Sequence, residues 1–131
     1  MLDTNICIEL LRGGAASVAS RMRKHEIEAI ALSSITLAEL QYGVAKTARR
    51  AHHETLLIQL CAPLAILPFD DRAAESYGRL RASLERAGTP IGPLDTLIAA
   101  HAQAINATLV TNNEREFSRV TGLRVENWVR A

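Results

Sequence analysis

The sequence predicts an α/β fold, namely a three-layer α/β/α sandwich around a central parallel sheet of four to five strands. Short apolar segments of strand length alternate along the chain with longer segments of helical periodicity, as in strands joined by helical crossovers. The segment 28–33 is apolar on both faces, like a parallel strand that helices cover on either side. With 131 residues, 48% of them hydrophobic, the chain suits one compact domain over residues 1–131.

Turn and capping signals set the boundaries of the elements. Polar Asp3-Thr4-Asn5 follows the first apolar residues, and Arg12-Gly13-Gly14 stops the next helix. Pro68 indicates that the third strand ends there or lies at a sheet edge. The first strand would be very short, so we expect the natural start to lie a few residues upstream. The predicted strands are the segment ending at Leu2 and residues 28–33, 64–69, 107–111 and 122–125. The predicted helices are residues 6–11, 15–24, 34–46, 49–61, 70–86, 93–106 and 112–120.

Composition excludes several classes of protein. The chain has 15 Lys and Arg against 14 Asp and Glu, a net charge of +1, so any contact with nucleic acid must come from local patches. Basic clusters at residues 21–24 and 46–50 are either solvated helix faces or phosphate contacts. Cys7 and Cys61 lack CxxC spacing and predict free thiols in a reducing compartment, the cytoplasm. No apolar run reaches the ~18 residues of a membrane span, and we predict no secretory leader.

Asp3 stands where the first strand ends and a helix begins. In open parallel sheets ligands bind beyond the carboxyl ends of the strands, so this acid points towards the expected site. Glu39, Asp95 and Glu116 each lie within a few residues of a predicted strand end or helix start, so the four side chains can converge. Clustered carboxylates need a cation to stay ionised together, and oxygen ligands suit Mg²⁺ or Mn²⁺ rather than zinc.

Each of these residues also has an ordinary structural interpretation. Glu39 and Glu116 stand three residues after a possible N-cap and fit capping boxes, and Asp95 complements the dipole at a helix start. Asn5 is either the N-cap of the first helix or a group that orients Asp3 or a metal-bound water. No histidines have metal-ligand spacing, and neither a GxSxG elbow nor a Walker loop occurs. The convergence of several acids on one sheet edge is what favours a functional site.

Four motifs follow one another along nearly the whole chain. They are MLDTN at residues 1–5, SSITLAELQYG at 33–43, IGPLDTLIAA at 91–100 and LVTNNEREF at 109–117. In sequence and order they resemble the motifs of the PIN-domain ribonucleases, specifically the VapC-type toxins of bacterial toxin–antitoxin pairs. The resemblance implies a PIN-like α/β/α sandwich that binds Mg²⁺ or Mn²⁺ and cleaves RNA endonucleolytically, with tRNA a common substrate class.

The resemblance also implies roles for individual residues. The acids of the first three motifs fall on Asp3, Glu39 and Asp95. Asp3 and Asp95 would be direct metal ligands, and Glu39 a ligand through water or an orienting group. Many relatives carry an aspartate where this chain has Asn113, whereas the subgroup with the TNNxxEF motif uses the later acid, here Glu116. The implied reaction is hydrolysis by water that one or two metal ions activate, leaving 5′-phosphate and 3′-hydroxyl ends. The supporting polar residues would be Asn5, Thr111 and Asn113.

The same resemblance implies a homodimer and a VapB-type antitoxin, one part of which crosses the active-site groove while another binds operator DNA. The apolar residues in 35–44 and 56–60 supply either such a surface or core. A haloacid-dehalogenase-like phosphatase fits less well because Asn5 stands where it needs a second acid, and a receiver domain needs acids before Asp3. The non-enzymatic alternative is a catalytically weak PIN-like module that binds RNA or protein. The intact acids argue against it because they repel phosphate.

Overall fold

The structure, a computed structural model, describes residues 1–129. None of the helices in that range combines the length and the hydrophobicity needed to cross a membrane. The strands are β1 (Ala31–Ser33), β2 (Ala65–Leu67), β3 (Leu109–Val110) and β4 (Val125–Glu126). The helices are α1 (Thr4–Leu11), α2 (Ala16–Met22), α3 (Ser34–Lys46), α4 (Arg50–Cys61), α5 (Asp71–Arg86), α6 (Pro93–Ala104) and α7 (Glu114–Phe117), with a 3₁₀ turn at Ile27–Ala29.

The N-terminal residues join the four strands into one parallel sheet. β1 pairs with β2, and β3 pairs with β4, both in parallel. Leu2 forms a parallel bridge with Val110 and donates its N–H to the Ala31 carbonyl at 3.0 Å, so residues 1–3 join the two pairs. The order across the sheet is β2, β1, residues 1–3, β3, β4, which confirms the predicted parallel sheet. β2 lies at an edge of the strands described, and Pro68 follows it directly, as predicted.

Side chains that alternate along these strands build a core on each face of the sheet. Leu2 and Val110 belong to one hydrophobic cluster, which also contains buried residues of α1, α2, α3 and α4. Their neighbours Met1 and Leu109 belong to the other cluster, together with buried residues of α5, α6 and α7. Successive side chains of a strand point to opposite faces, so helices cover both sides of the sheet. This confirms the three-layer α/β/α sandwich.

Three predicted boundaries were wrong by three residues, each because a local turn replaces regular structure. Residues 27–29 form a 3₁₀ turn, so the strand predicted from residue 28 starts at Ala31. The helix predicted to reach residue 120 ends at Phe117, beyond which the backbone continues as single hydrogen-bonded turns. Gly122 has a positive φ of 83° in one of these turns, and the last strand therefore starts at Val125.

Candidate active site

Asp3 lies at the carboxyl end of the N-terminal strand segment and caps α1. Its Oδ1 accepts a hydrogen bond from the backbone N–H of Ile6 at 2.9 Å, so Asp3 is the N-cap and the prediction of Asn5 in that role was wrong. The helix begins two residues earlier than expected because the acid itself supplies the cap. The Thr111 hydroxyl, directly after β3, donates a second hydrogen bond to the Asp3 carboxylate. Asn5 is an exposed residue in the first turn of α1.

Glu39 reaches the site from α3. Ser33 caps that helix, so Thr36 lies inside it and the capping box predicted for residues 36–39 was wrong. The Glu39 carboxylate instead accepts a hydrogen bond from the Thr4 hydroxyl, with 2.7 Å between Thr4 Oγ1 and Glu39 Oε1. Because Thr4 is the first residue of α1, this bond connects the first motif to the second.

Asp95 and Glu116 come together from α6 and α7. Asp95 lies in the first turn of α6, where it complements the helix dipole as predicted. Glu116 Oε1 accepts the Gly92 N–H at 2.7 Å, and its Oε2 accepts a hydrogen bond from Asn113 Nδ2 at 2.7 Å. The Asn113 side chain makes no hydrogen bond that caps α7, so the second predicted capping box was also wrong. Asp95 Oδ2 and Glu116 Oε1 both lie beside Gly92, so the two carboxyl groups are neighbours in the site.

Burial and the neighbouring acids both raise the pKa of Asp95. Burial, followed by the charges of Glu116, Asp3 and Glu39, raises this pKa from 3.8 to about 6. Asp3 is 2% exposed, and burial also raises its pKa, although its hydrogen bonds oppose the change. The pKa of Glu116 is lowered, chiefly because the Gly92 N–H stabilises the charged form. The structure therefore brings the four acids of the separate motifs into one electrostatic site.

The donor set suits a hard divalent cation. The acids present only oxygen atoms, the ligands that Mg²⁺ and Mn²⁺ prefer. A Cβ on Gly92 would lie 3.5 Å from Glu116 Oε1 and 3.7 Å from Asp95 Oδ2, so glycine leaves the space beside these two carboxyl groups open. Within residues 1–129, no three His, Cys, Asp or Glu side chains are already placed to hold a metal ion together. Magnesium sites use one or two protein carboxylates plus water, so the residues present fit such an ion.

Two contacts that position the acids were missed in the sequence. Thr4 and Gly92 stand inside motifs, next to Asp3 in one case and at the start of α6 in the other. Their partners lie 35 residues away for the bond from Thr4 to Glu39 and 24 residues away for the bond from Gly92 to Glu116. The presence of these residues in the motifs was the available signal, but only the fold reveals which acid each one holds.

Known proteins are similar to this chain over nearly its whole length. Residues 1–123 match the PIN domain family. The tRNA(fMet)-specific endonuclease VapC of Shigella flexneri is 41% identical over 128 residues, which cover 98% of this chain and 96% of that protein. Ribonuclease VapC2 of Rickettsia felis is 44% identical over 129 residues, which also cover 98% of this chain and 96% of that protein.

Solved structures agree in fold. A chain of the crystal structure of VapBC2 from Rickettsia felis, bound to a promoter DNA fragment, has a TM-score of 0.92 and 43% identity, covering 98% of this chain and 97% of that one. A chain of DNA-bound VapBC from Salmonella typhimurium has a TM-score of 0.93 and 39% identity, covering 98% and 96%. The chain belongs to the PIN-domain family. Within that family its similarity is to the VapC-type ribonucleases, which confirms the resemblance predicted from the motifs.

Proposed function

We propose that the protein is a metal-dependent endoribonuclease, the toxin of a toxin–antitoxin pair, and that it cleaves tRNA. The observation that carries the proposal is the convergence of Asp3, Glu39, Asp95 and Glu116; burial, together with the charges of the other three acids, raises the pKa of Asp95 to about 6. Acids crowded in this way destabilise a fold unless a cation neutralises them, which favours a function that uses the cation. The names of the Shigella flexneri and Rickettsia felis relatives, a tRNA(fMet)-specific endonuclease and a ribonuclease, support RNA as the substrate.

Each side chain of the site has its own role in the proposed reaction. Asp3 and Asp95 would hold Mg²⁺ or Mn²⁺, which supplies positive charge that lowers the pKa of a water molecule and offsets the charge of the phosphate. Thr4 fixes Glu39 Oε1, so that Glu39 Oε2 can orient the attacking water and accept its proton. Thr111 keeps Asp3 in place through its hydroxyl. The water oxygen bonds to phosphorus as the P–O3′ bond breaks and the 3′ oxygen takes up a proton, giving 5′-phosphate and 3′-hydroxyl ends.

An apolar groove beside the acids supports a VapB-type antitoxin as the partner. The groove has a volume of about 720 Å³, is lined mainly by α1 and α3, and has Glu39 in its wall. Tyr42 and Leu94 also line it and are 66% and 46% exposed, whereas Leu40 of the same helix as Tyr42 is buried core. The similar chains of known structure come from VapBC complexes. An antitoxin segment seated here would cover Glu39 and exclude RNA, while the homodimer stays a prediction.

The test of the proposed activity is cleavage of total tRNA by purified, antitoxin-free protein in Mg²⁺, Mn²⁺ or EDTA. We expect discrete fragments with metal, none with EDTA, and none from Asp3→Asn or Asp95→Asn. Asp71→Asn removes one exposed acid of α5, serves as the matched control, and should cleave like the wild type. Folded wild-type protein that cuts no RNA with either metal would overturn the proposal and favour a binding module. Cleavage of other RNA but not of tRNA would contradict only the tRNA assignment.

A further inference from the structure

A cleft lined by two arginines adjoins the acids. It has a volume of about 290 Å³, and its walls are Arg115, Arg119 and Asn113, residues 90–92, and Glu116. Glu116 Oε1 and Asp95 Oδ2 lie 3.5 and 3.7 Å from the position of a Cβ on Gly92, so Glu116 borders both the cleft and the proposed catalytic site. Nothing in the proposed hydrolysis uses the two arginines. Their position next to the acids therefore needs a separate explanation.

Both arginines are exposed to solvent, and the charge of Arg119 contributes to the lowered pKa of the neighbouring Glu116. Arg119 Nη1 donates a hydrogen bond to the Pro90 carbonyl at 2.9 Å, which holds the guanidinium at the cleft wall. Neither Arg115 nor Arg119 belongs to an ion pair formed within residues 1–129, whereas Arg79 and Arg81 each pair with a glutamate of their own helix. A guanidinium carries five N–H donors, so Arg119 keeps donors for a ligand in the cleft.

We propose that Arg115 and Arg119 bind a backbone phosphate of the RNA that neighbours the phosphate being cleaved. This inference rests on the proposed ribonuclease function. An RNA strand with its reacting phosphate at Asp3 and Asp95 passes Glu116 and places an adjoining phosphate in the cleft. The acids repel that phosphate, and positive side chains beside them offset the repulsion. Arginine suits this role because its planar fork matches the oxygens of a phosphate.

The lining of the cleft indicates contact with the RNA backbone rather than with bases. It contains no aromatic side chain on which a base could stack. Phosphate contacts position a nucleic acid without carrying sequence information. The two arginines should therefore strengthen binding of different RNA sequences to the same extent, and the choice of cleavage site should come from elsewhere in the protein.

The test is RNA binding measured by fluorescence anisotropy in EDTA, so that the result does not depend on cleavage. The probes are a labelled single-stranded oligouridylate and labelled bulk tRNA, each titrated over a range of salt concentrations. The double variant Arg115→Ala/Arg119→Ala should bind both RNAs roughly tenfold more weakly. Its slope of log affinity against log salt should be smaller by about 0.7, the value for one phosphate contact on a single strand. Arg115→Lys/Arg119→Lys keeps the charge and should retain the wild-type slope.

The matched control is Arg72→Ala, which removes an exposed arginine from the first turn of α5. Arg72 is not among the residues that line the cleft. The control should bind RNA like the wild type, and circular dichroism melts should show that all variants are folded. In cleavage assays with Mg²⁺ the double alanine variant should have a raised KM and a nearly unchanged kcat.

The outcomes separate this inference from the proposed function. If the wild type cleaves RNA but the double alanine variant keeps the same affinity, salt slope and KM, the inference is wrong and the function stands. If the wild type cleaves no RNA but its RNA binding still depends on both arginines, the phosphate contact stands and the ribonuclease function fails. If the double variant binds RNA normally but loses affinity for a VapB-type antitoxin, the cleft is an antitoxin contact and the inference is overturned.

Discussion

In the absence of metal, replacing Asp95 by asparagine should stabilise the fold. The folded protein holds the Asp95 proton more tightly than the unfolded chain does, because burial and the neighbouring acids raise the pKa from 3.8 to about 6. A difference of roughly 2 pKa units corresponds to at most about 3 kcal/mol of lost stability when the carboxyl group is ionised. Asp95 is only half-buried, so water screens part of the repulsion and we expect the variant to gain about 1–2 kcal/mol.

This gain should depend on pH in a defined direction. Above about pH 6 the folded protein must hold a charged Asp95, so the destabilisation is complete there. Between about 6 and 3.8 the folded state binds more protons than the unfolded chain, and the stability that Asp95 costs the wild type is recovered as the pH falls. The advantage of Asp95→Asn should therefore shrink through this window and be nearly absent at its lower end.

Thermal unfolding in EDTA, followed by circular dichroism at several pH values, measures the effect. Near neutral pH the Asp95→Asn variant should melt about 3–8 °C above the wild type. Asp71→Asn, at an exposed position, should change the melting temperature by less than about 2 °C. Equal melting temperatures of wild type and Asp95→Asn near neutral pH, or a gain that persists undiminished in acid, would refute the mutual repulsion of the four acids.

Three further perturbations have defined outcomes. Thr4→Val removes the 2.7 Å hydrogen bond to Glu39 and should lower kcat for RNA cleavage roughly tenfold or more, while Thr4→Ser keeps the hydroxyl and should restore it. Equal kcat values for these two variants would show that the bond does not position Glu39. Gly92→Ala should fold, because the added Cβ meets only ordinary contact distances, but it should reduce the rise in melting temperature caused by Mg²⁺, since the methyl enters the space beside Asp95 and Glu116. An undiminished Mg²⁺ response would place the ion elsewhere. His101 is 1% exposed with its Nδ1 2.8 Å from Ser33 Oγ, and burial lowers its pKa from 6.5. The folded state thus binds fewer protons at His101 than the unfolded chain, so this residue costs stability as the pH falls through 6.5, and melts of His101→Gln should lose that part of the acid sensitivity.

Local signals were sufficient to place the acids at one edge of the sheet. Asp3 follows an apolar strand residue directly, and Asp95 follows Pro93 at a helix start. Both patterns depend only on neighbouring residues, because strand ends and helix starts have their own preferences. The position of ligand sites at the carboxyl ends of parallel strands then predicts that such acids meet. The α/β/α sandwich and its parallel sheet were predictable because the alternation of strand-length and helical segments is also a local pattern of the sequence.

The predicted N-caps were wrong where two residues close in sequence could each cap the same helix. Ser33 precedes the possible cap at Thr36 by one helical turn, and Ser33 caps α3 because β1 ends there. Asp3 replaces Asn5 as the cap of α1 in the same way. Each candidate has a suitable side chain, and the choice depends on where the preceding strand stops pairing, which short-range patterns do not contain.

The sequence also could not predict contacts between residues that are far apart along the chain. The Asn113 side chain has the composition of a helix cap, yet it donates to the Glu116 carboxylate while Gly92 binds the other oxygen. The arginine cleft likewise exists only because the loop at residues 90–92 packs beside α7. Such arrangements depend on how α6 and α7 meet in space, so their residues could be suspected but not assigned.

Mn²⁺ binding, followed by the loss of the electron paramagnetic resonance signal of the free ion, tests most directly whether the four acids form one divalent-cation site. Wild-type protein should bind Mn²⁺ and release it on addition of Mg²⁺. Asp3→Asn and Asp95→Asn should each weaken binding by at least about tenfold, and Asp71→Asn should bind like the wild type. Equal Mn²⁺ affinity in the wild type and in both site variants would contradict a metal site built on Asp3 and Asp95.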